Sequence, residues 1–359
     1  MKEIVFLSPA SPGAVRTAKF AQHLVNRNFK LSYWGWARQS ADKNKVYSYF
    51  DNINYILCGG GSGTKILPLY YCWLIIKLSL LLLIKKHDGR IYLATNFETA
   101  FSCWFSSHFR KFTYIYDIWD ELAISHLFPG YIVKLIRFFD KKIRKRAAFY
   151  IHVDENRISD IDGSNYIILY NSPIDFLNSS TLKPKRNCFA VTGWLNKTRG
   201  MQSIYEFAKN NPQIEFIVAG AFLQKEYEEL YSQLPNVRHY NFMPQNELFK
   251  LIINCRGIFS LYDTTIPINR LAASNKLYDA MMLSIPVIVN EGLVATDFVR
   301  KNGIGYVVNY EFDKTWDVLK EYDLETVNSI GIKGREIYLN RFEFTSMLDR
   351  VLIPRLVEL

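Results

Sequence analysis

Short apolar runs of strand length alternate with helical patterns along the first half of the chain. The strand-like runs are EIVFLSP, KLSYWGW, NYILCG, RIYLATN, FTYIYDI and FYIHVDE, and the helical pattern AVRTAKFAQHLVNR follows the first of them. Apolar runs separated by helices are typical of parallel sheets with crossover helices. The pattern therefore predicts an α/β fold.

The alternation pauses once, near the middle of the chain. A turn containing Pro and Asn, NYIILYNSPIDF, leads into the polar connector SSTLKPKRN, and a second series begins after it. That series contains CFAVTGW, a helix over RGMQSIYEFAKNN, EFIVAGA, VRHYNF, ELFKLIINC, GIFSLY, a helix over NKLYDAMML, PVIVN and YVVNY. Polar, aperiodic stretches mark domain boundaries. We therefore predict Rossmann-like domains over residues 1–178 and 179–335.

The last segment, residues 336–359, is predicted to be a helix with a tail. The helical pattern covers residues 335–350, and we expect the segment to cross back onto the first domain. Ligands of open parallel sheets bind at the carboxyl ends of the strands, where helix N-termini converge. Two such domains are therefore expected to form a cleft with two opposed sites.

Composition favours a folded cytoplasmic protein. The 359 residues are 49% apolar, which suffices for sizeable cores in two domains. The five cysteines lack the paired spacing of a disulfide framework or a zinc site: Cys58, Cys72, Cys103, Cys188 and Cys255. The start, MKEIVFLSPA, lacks the basic and apolar regions of an export signal. We expect all five to be reduced thiols in the core, and the protein to be cytoplasmic.

The positive charge is concentrated in the first half. Residues 1–178 carry 23 Lys and Arg against 14 Asp and Glu, a net charge of +9, whereas residues 179–359 carry 21 against 20, a net charge of +1. No helix-turn-helix, RNP-type or zinc-finger pattern accompanies this charge, so a nucleic-acid partner is not expected. An anionic membrane surface or a phosphate-bearing acceptor fits it better.

Two segments of the first half suit a membrane surface. The segment ILPLYYCWLIIKLSLLLLI, residues 66–84, approaches the length of a membrane span, but Lys77 interrupts it. We expect a buried or membrane-dipping helix there, with a true span as the alternative. The stretch YIVKLIRFFDKKIRKRAA mixes apolar and cationic residues at helical spacing. This spacing suits an anionic bilayer interface, and a solvated basic face is the alternative.

The stretch VTGWLNKTRGMQSI contains a candidate diphosphate site. Gly193 ends a strand, Lys197 and Arg199 follow it, and Gly200 precedes a helix. Glycine lets the backbone approach an oxyanion closely, and the cations neutralise its charge. The alternative is an ordinary turn with solvated Lys and Arg.

A second candidate lies in SLYDTTIPINRLAASNKLYDAMMLSIPVIVN. Ser274 and Asn275 stand at a helix start, and Lys276 adds a charge in the first turn, where helix amides attract phosphate. Asp279 lies about one turn further on, where a carboxylate can accept from ribose or sugar hydroxyls. The alternative is a capped surface helix.

Several motifs together resemble glycosyltransferase family 4. The segment NRLAASNKLYDAMMLSIPVIV is similar to the family's donor-binding signature, and TGWLNKTRGMQSIYEFA with IEFIVAG resembles its strand, Lys-Gly turn, helix and strand ending in Gly. In the first half, SPGAVRTAKFAQHLVNRNFKLSYWG resembles its opening glycine loop, YIYDIWDEL its mid-domain aspartate motif, and VDENRISDI with ILYNSPID its exit toward the linker. The resemblance spans nearly the whole chain.

This resemblance implies the GT-B fold, in which two Rossmann-like domains with parallel sheets face a central cleft. It implies a nucleotide-sugar donor held mainly by the second domain, an acceptor held by the first, no obligatory metal, and retention of anomeric configuration. Gly13 matches the opening-loop glycine near the donor, and Arg199 matches the usual Lys before glycine. Lys276 and Asp279 match positions that touch the diphosphate and the sugar-nucleotide.

Several positions depart from the family's pattern. The family often has two acids separated by seven residues, the second of them Glu, but Asp279 replaces the second and Leu271 stands where the first would lie. Trp194 stands where an Arg often follows the glycine, and Trp119 where many members have a His beside the sugar. The sequence also shows no His/Asp/Glu or Asp-x-Asp cluster with metal-ligand spacing, so Lys, Arg and helix dipoles are expected to stabilise the leaving diphosphate.

Acidic residues end the strand YIYDI in the first half. A carboxylate there can orient or deprotonate an acceptor hydroxyl, and we predict Asp120 as the catalytic residue, with Glu121 on the acceptor side. The alternative is that Asp120 caps the next helix. Trp119 is predicted either to stack on a sugar ring or to fill the core.

These features predict a glycosyltransferase at the inner face of the cell membrane. Its donor would be a nucleotide diphosphate sugar, with no cofactor, and its acceptor a glycan or a polyprenyl-diphosphate-linked glycan. The family resemblance implies bacterial surface polysaccharide assembly, such as capsule, O-antigen or cell-wall glycan. The alternatives are a nucleotide-sugar epimerase of GT-B architecture and a catalytically degenerate homologue that binds a glycan or a partner.

Overall fold

The computed structural model describes most of the chain, in ranges that leave out parts of three predicted motifs. The described residues are 2–38, 43–60, 66–125, 128–157, 165–177, 185–271, 274–321 and 323–359. Most of the predicted connector 179–187, the end of VDENRISDI and residues 272–273 of the donor motif lie outside them. The chain divides into two compact units, Met1–Tyr170 with Met347–Leu359 and Asn171–Ser346.

The first unit is built on a parallel sheet. Its strands are β1 Glu3–Ser8, β2 Lys30–Ala37, β3 Asn52–Cys58, β4 Ile91–Thr95, β5 Thr113–Ile118, β6 Tyr150–His152 and β7 Tyr166–Ile168. Within the described residues they form one sheet in the order β3-β2-β1-β4-β5-β6-β7. Its helices are α1 Val15–Asn26, α2 Leu67–Ile84, α3 Asn96–Ser106, α4 Leu122–Ser125 and α5 Gly130–Arg146, with a 3-10 turn at Glu155–Arg157.

The second unit repeats this plan. Its strands are β8 Cys188–Leu195, β9 Glu215–Phe222, β10 Val237–Tyr240, β11 Gly257–Ser260, β12 Val287–Asn290 and β13 Gly305–Val308. They form a parallel sheet in the order β10-β9-β8-β11-β12-β13. Its helices are α6 Met201–Asn210, α7 Lys225–Ser232, α8 Gln245–Ile252, α9 Pro267–Arg270, α10 Asn275–Met282, α11 Val294–Asn302, α12 Val318–Glu321 and α13 Leu324–Ile337, with 3-10 turns at Lys197–Arg199 and Lys314–Asp317.

The two parallel sheets confirm the predicted fold class. The strands read as near-continuous apolar runs because helices cover both faces of each sheet, so inward and outward side chains are both buried. The central strands of each unit contribute large aromatic side chains to its core, such as Tyr92 and Tyr116 in the first and Phe189 and Phe259 in the second. The pause predicted at NYIILYN contains the short edge strand β7.

The continuous helix predicted over residues 335–350 is wrong. Helix α13 ends at Ile337, a π-helical turn covers Tyr338–Phe342, and Glu343 is extended. The Glu343 carboxylate accepts hydrogen bonds from the backbone N–H groups of Thr345 (3.2 Å) and Ser346 (2.7 Å). This side chain therefore starts a new helix, α14 Phe344–Met347, which is followed by a second π-helical turn Leu348–Leu352 and α15 Ile353–Glu358.

The last residues of the chain pack within the first unit. Asp349 Oδ1 lies 2.8 Å from His23 Nε2 and accepts a hydrogen bond of 2.8 Å from Arg27 Nε, so it joins the turn to α1. At the far end, Lys2 Nζ donates to the Val357 carbonyl (2.9 Å). These contacts attach the tail to the sheet on which the chain began.

Helix α2 buries only one of its faces. Leu74, Leu78 and Leu82 are buried at a spacing of four residues, whereas Trp73 and Leu80 are exposed on the other side. Among the described residues, α2 alone is long and apolar enough to cross a membrane, by length and composition only. The helix packs on the first unit while keeping an apolar outer face.

Candidate functional site

Two glycines meet at the carboxyl ends of β8 and β9. Gly193 and Gly220 are partners in the sheet register, with φ values of 93° and 148°. A Cβ at position 220 would lie 1.9 Å from the Gly193 carbonyl oxygen, and a Cβ at position 193 would point to Lys276 Nζ, 3.6 Å away. The Lys276 ammonium therefore lies over the open end of β8, where bare backbone faces it.

Lys276 belongs to the first turn of α10, as predicted. Ser274 stands at the N-cap position, but within the described part of the chain no side chain caps the amides of this helix. The buried Ser274 hydroxyl lies 2.7 Å from the Ser260 hydroxyl instead. Asn275 Oδ1 accepts a hydrogen bond of 3.3 Å from Asn171 Nδ2. The positive end of the helix dipole and Lys276 thus act in the same place, which suits an anion.

The predicted Lys197 and Arg199 lie in the short turn that follows β8. Asn196 caps this turn by accepting from the Thr198 amide (2.9 Å). The Arg199 guanidinium carbon lies 3.9 Å from the centre of the Tyr262 ring, and its buried Nη1 has no hydrogen-bond partner among the described residues. Lys197 is exposed. Stacking on Tyr262 therefore fixes Arg199 at the sheet edge while leaving it a donor for a ligand.

Asp279 lies further along α10 and is half-buried. Burial raises the pKa of Tyr338 well above its usual range, and the negative charge of Asp279 contributes to this rise. The structure thus places Asp279 on the flank of α10 that faces Tyr338. Its predicted contact with sugar hydroxyls stays a prediction.

A buried ion pair stands at the carboxyl end of β5 in the first unit. The guanidinium of Arg16, in the first turn of α1, donates to both Asp117 oxygens at 2.9 and 3.2 Å. The Trp119 indole N–H also donates to Asp117, at 2.6 Å. Trp119 is only half-buried, so it is anchored by this bond rather than enclosed in the core. Gly13 lies in the preceding loop, where a Cβ would come within 2.7 Å of the Tyr47 ring.

The two predicted acceptor-side carboxylates have different surroundings. Asp120 is exposed in the turn before α4. Glu121 Oε1 lies 3.1 Å from Arg144 Nη2 and 3.3 Å from His152 Nε2. Burial raises the pKa of Glu121, but the interactions with His152 and Arg144 outweigh it and hold the pKa below its usual value. Glu121 is therefore ionised and engaged in ion pairs.

Glu98 is a candidate that the sequence reasoning missed. It lies in the first turn of α3, directly after β4, and its Oε2 is buried without a hydrogen-bond partner among the described residues. Burial raises its pKa, which its own backbone amide and Arg38 lower in part. Asn96, the first residue of the same helix, accepts a hydrogen bond from the Trp119 backbone amide (3.0 Å). Asp120 was selected by the rule that ligands of a parallel sheet bind at the carboxyl ends of its strands, which we call the strand-end rule. The same rule would have selected Glu98, because NFE directly follows the strand RIYLAT.

No group of three or more His, Cys, Asp or Glu side chains is placed to hold a metal ion within the described ranges. Cys58 and Cys72 are exposed, so the prediction of core thiols is wrong for these two. Cys188 of β8 and Cys255, just before β11, are buried with their sulfur atoms 3.0 Å apart. Their separation in the sequence gave no sign of this contact.

Comparison with known proteins rests on solved structures. No protein-family model matches the chain, and no curated protein matches its sequence. HepE of Anabaena in complex with UDP is similar over 100% of both chains, with a TM-score of 0.74 and 14% identity. The chain has the GT-B fold. Sucrose-phosphate synthase of Thermosynechococcus elongatus matches 100% of this chain and 99% of its own, with a TM-score of 0.73 and 12% identity.

A third similar structure is that of WaaG, a glycosyltransferase involved in lipopolysaccharide biosynthesis. It matches 97% of this chain and 98% of its own, with a TM-score of 0.61 and 13% identity. At these identities the likeness establishes the fold alone. It agrees with the resemblance to glycosyltransferase family 4 that the sequence motifs carry.

Proposed function

We propose that the protein is a glycosyltransferase that moves a sugar from a nucleotide diphosphate sugar to a glycan or lipid-linked glycan. The observation that carries this proposal is the placement of Lys276 and the α10 N-terminus over the bare end of β8. A second support is the shared fold with HepE, which has been seen with UDP and with UDP-glucose. Uridine donors are therefore the first to test.

The leaving diphosphate would be stabilised by the second unit. Fixed cations and helix amides stabilise developing negative charge without rearranging during the reaction. Lys276, the first amides of α10 and Arg199 are the groups available for this, and exposed Lys197 lies in the same turn as Arg199. We propose a metal-independent reaction on this basis, with no cofactor, and retention of configuration follows only from the family resemblance.

The acceptor would bind to the first unit. That unit's part of the sequence carries almost all of the net positive charge, which favours an anionic acceptor such as a polyprenyl-diphosphate-linked glycan. Asp120 and Glu98 are the candidate groups for orienting or deprotonating its hydroxyl. We further propose a role in bacterial surface polysaccharide assembly (capsule, O-antigen or cell-wall glycan). WaaG, which is similar in fold, is involved in lipopolysaccharide biosynthesis.

The protein would act as a peripheral protein on the cytoplasmic face of the membrane. Helices α2, α3 and α5 lie side by side. The Ser102 and Ser106 hydroxyls of α3 each donate to α2 carbonyls at 3.2 Å, and Phe101 of α3 makes an edge-to-face contact with Phe139 of α5. All three helices expose large apolar side chains, namely Leu69, Trp73, Ile76, Leu80, Ile84, Phe105, Tyr131, Leu135 and Phe138. Apolar side chains beside the cations of α5 suit an anionic bilayer interface.

The test is donor binding by calorimetry with a panel of nucleotide sugars. Replacing Lys276 by Ala is expected to weaken binding of the preferred donor about tenfold, because one charge-assisted contact with the diphosphate is lost. Lys301→Ala, an exposed lysine near the end of α11, is the matched control and should bind normally. Equal affinity of Lys276→Ala and the wild type would contradict the donor assignment.

Turnover separates the proposed activity from its alternatives. A transferase releases nucleotide rapidly only when an acceptor is present, whereas an epimerase converts the nucleotide sugar without one. Absence of binding to every nucleotide sugar would favour the degenerate homologue, which binds a glycan or a partner instead. The departures at Leu271 and Trp119 make this second measurement necessary.

A further inference from the structure

Two buried cysteines meet at the amino-terminal edge of the second unit's sheet. Cys188 begins β8, and Cys255 lies between α8 and β11, the strand that pairs with β8. Their sulfur atoms are 3.0 Å apart, although 67 positions separate the two residues in the chain. Gly193 lies near the other end of β8, about 17 Å away at the usual rise per residue of a strand. The pair is therefore separate from the proposed donor site.

Backbone hydrogen bonds hold the two cysteines side by side. On one side of the pair, the Arg186 amide donates to the Asn254 carbonyl at 2.7 Å. On the other side, the Arg256 amide donates to the Cys188 carbonyl at 2.8 Å. A sulfur–sulfur bond is about 2.0 Å long, so the two sulfur atoms need to approach by only about 1 Å to form one. The fold thus places two thiols where they can react with each other.

A buried ammonium group lies beside the pair. Lys185 Nζ donates to a backbone carbonyl at 3.0 Å, and its charge interacts with both thiols. The hydrogen bond between the thiols lowers the pKa of Cys188 and raises that of Cys255, whereas burial raises both. The positive charges of Arg186 and Lys185 lower the pKa of Cys188 further, against the negative charge of Glu215, and its net change is a decrease. Since the thiolate is the form that reacts with oxidants, Cys188 is the more reactive member.

The surroundings of Cys103 show what burial does by itself. This cysteine lies in α3 of the first unit, and burial raises the pKa of its thiol well above the usual value. A buried neutral thiol is unreactive. Cys188 differs from Cys103 because a second sulfur atom and a buried cation lie beside it. These two neighbours are what a reactive pair requires.

We propose that Cys188 and Cys255 form a reversible disulfide in the presence of hydrogen peroxide. The Cys188 thiolate attacks one oxygen of the peroxide, the O–O bond breaks, and the hydroxide that leaves takes up a proton to give water. The Cys255 thiol then attacks the sulfur of the resulting sulfenic acid and releases a second water. Two thiols and one peroxide thus give one disulfide and two waters, and a dithiol reductant reverses the reaction.

In a cytoplasmic protein this disulfide is a transient and protective state. Disulfides in the cytosol are usually transient, because cellular thiols reduce them. Further oxidation of a sulfenic acid to a sulfinic acid is in general irreversible, so capture by Cys255 protects Cys188 from that loss. No donor or acceptor group takes part, so the disulfide is independent of the proposed function.

The test is peptide mapping by mass spectrometry on the folded full chain. The protein is treated with hydrogen peroxide, the remaining free thiols are alkylated, and the peptide that links Cys188 to Cys255 is quantified. The link should form in the folded protein and disappear on treatment with dithiothreitol. A decrease in alkylation of Cys58 and Cys72, which are exposed, shows that the peroxide has acted.

Single variants assign the two roles. Cys255→Ala removes the second thiol, so peroxide should convert Cys188 to a sulfinic acid that dithiothreitol does not reduce. Cys188→Ala removes the reactive thiolate, so Cys255 should stay largely reduced. Lys185→Met should slow formation of the link about fivefold, because it removes one charge that favours the thiolate. Cys103→Ala is the matched control for loss of a buried cysteine and should form the link at the wild-type rate.

Several results would overturn the disulfide. Absence of the link after Cys58 and Cys72 have reacted is one, and a link that forms only in urea is another. Loss of the link in Cys103→Ala would show that it depends on general packing rather than on the pair. Equal oxidation of the remaining thiol in Cys188→Ala and Cys255→Ala would overturn the role of Cys188 as the attacking thiol. A link that forms in the folded wild type and unchanged in Cys103→Ala supports the disulfide, whether or not a nucleotide sugar binds.

Discussion

Replacing Asp117 by Asn tests the buried ion pair beneath the acceptor-side turn. The side chains of Arg16 and Asp117 are each only 3% exposed, so the substitution leaves a buried guanidinium charge facing a neutral amide. Breaking a buried pair from one side costs about 3 to 5 kcal/mol. We expect the lower end, about 3 kcal/mol, because Arg16 Nη1 still donates to the Leu169 carbonyl and the Asn oxygen still accepts one bond.

Urea denaturation measures this loss. With a slope of about 2 to 3 kcal/mol per molar urea, the midpoint for the first unit should fall by roughly 1 M. Asp88→Asn is the control, because Asp88 is exposed in the same unit. Removing both charges, with Arg16→Met and Asp117→Leu together, should recover part of the loss, because the Trp119 indole N–H and the Leu169 carbonyl then lose these partners. A change below about 1 kcal/mol in Asp117→Asn, or a double variant no more stable than it, would refute the reasoning.

Three further predictions concern other parts of the chain. Gly220→Ala should lower the free energy of unfolding by at least about 2 kcal/mol in thermal denaturation, whereas Gly303→Ala, also at positive φ but with nothing within 4 Å of its Cβ, should cost less. Burial lowers the pKa of Lys185 from 10.5 to about 8, so stability should rise as the pH increases between these values, and Lys185→Met should flatten this rise. Trp73→Ser should weaken binding to anionic vesicles about tenfold in flotation assays, and Trp194→Ser, exposed to a similar degree (59% against 55%), should not.

Local pattern was sufficient to predict the fold. Each central strand is a short apolar run because both faces of its sheet are covered there, and this information lies within a few neighbouring residues. The break at Glu343 could not be predicted in this way. It depends on the Glu343 carboxylate, which accepts hydrogen bonds from the Thr345 and Ser346 amides that a continuous helix would have bonded to its own carbonyls. The spacing of apolar residues is the same with or without this interaction, so it could not reveal the break.

The candidate sites were predictable in part for a related reason. The strand-end rule selected Gly193 and Asp120, because position along a parallel strand determines the edge at which a residue lies. It did not predict which side chains meet there. Arg16 and Asp117 are 101 positions apart in the chain, and Glu121 pairs with Arg144 of α5, 23 positions away. Such pairings depend on how helices pack on the sheet, which one sequence does not show.

The surroundings of the acceptor-side carboxylates limit what each can do. A general base must take up a proton near the working pH, and the ion pairs of Glu121 hold its pKa below the usual value. Its ionised oxygen instead holds the Arg144 side chain 3.1 Å away, so Glu121 is an ion-pair partner rather than a base. Asp120 is exposed, and Glu98 has a buried oxygen and a raised pKa. A carboxyl group whose pKa moves toward neutrality is the better match for proton transfer, so Glu98 stands beside Asp120 as a candidate base, although the sequence pointed only to Asp120.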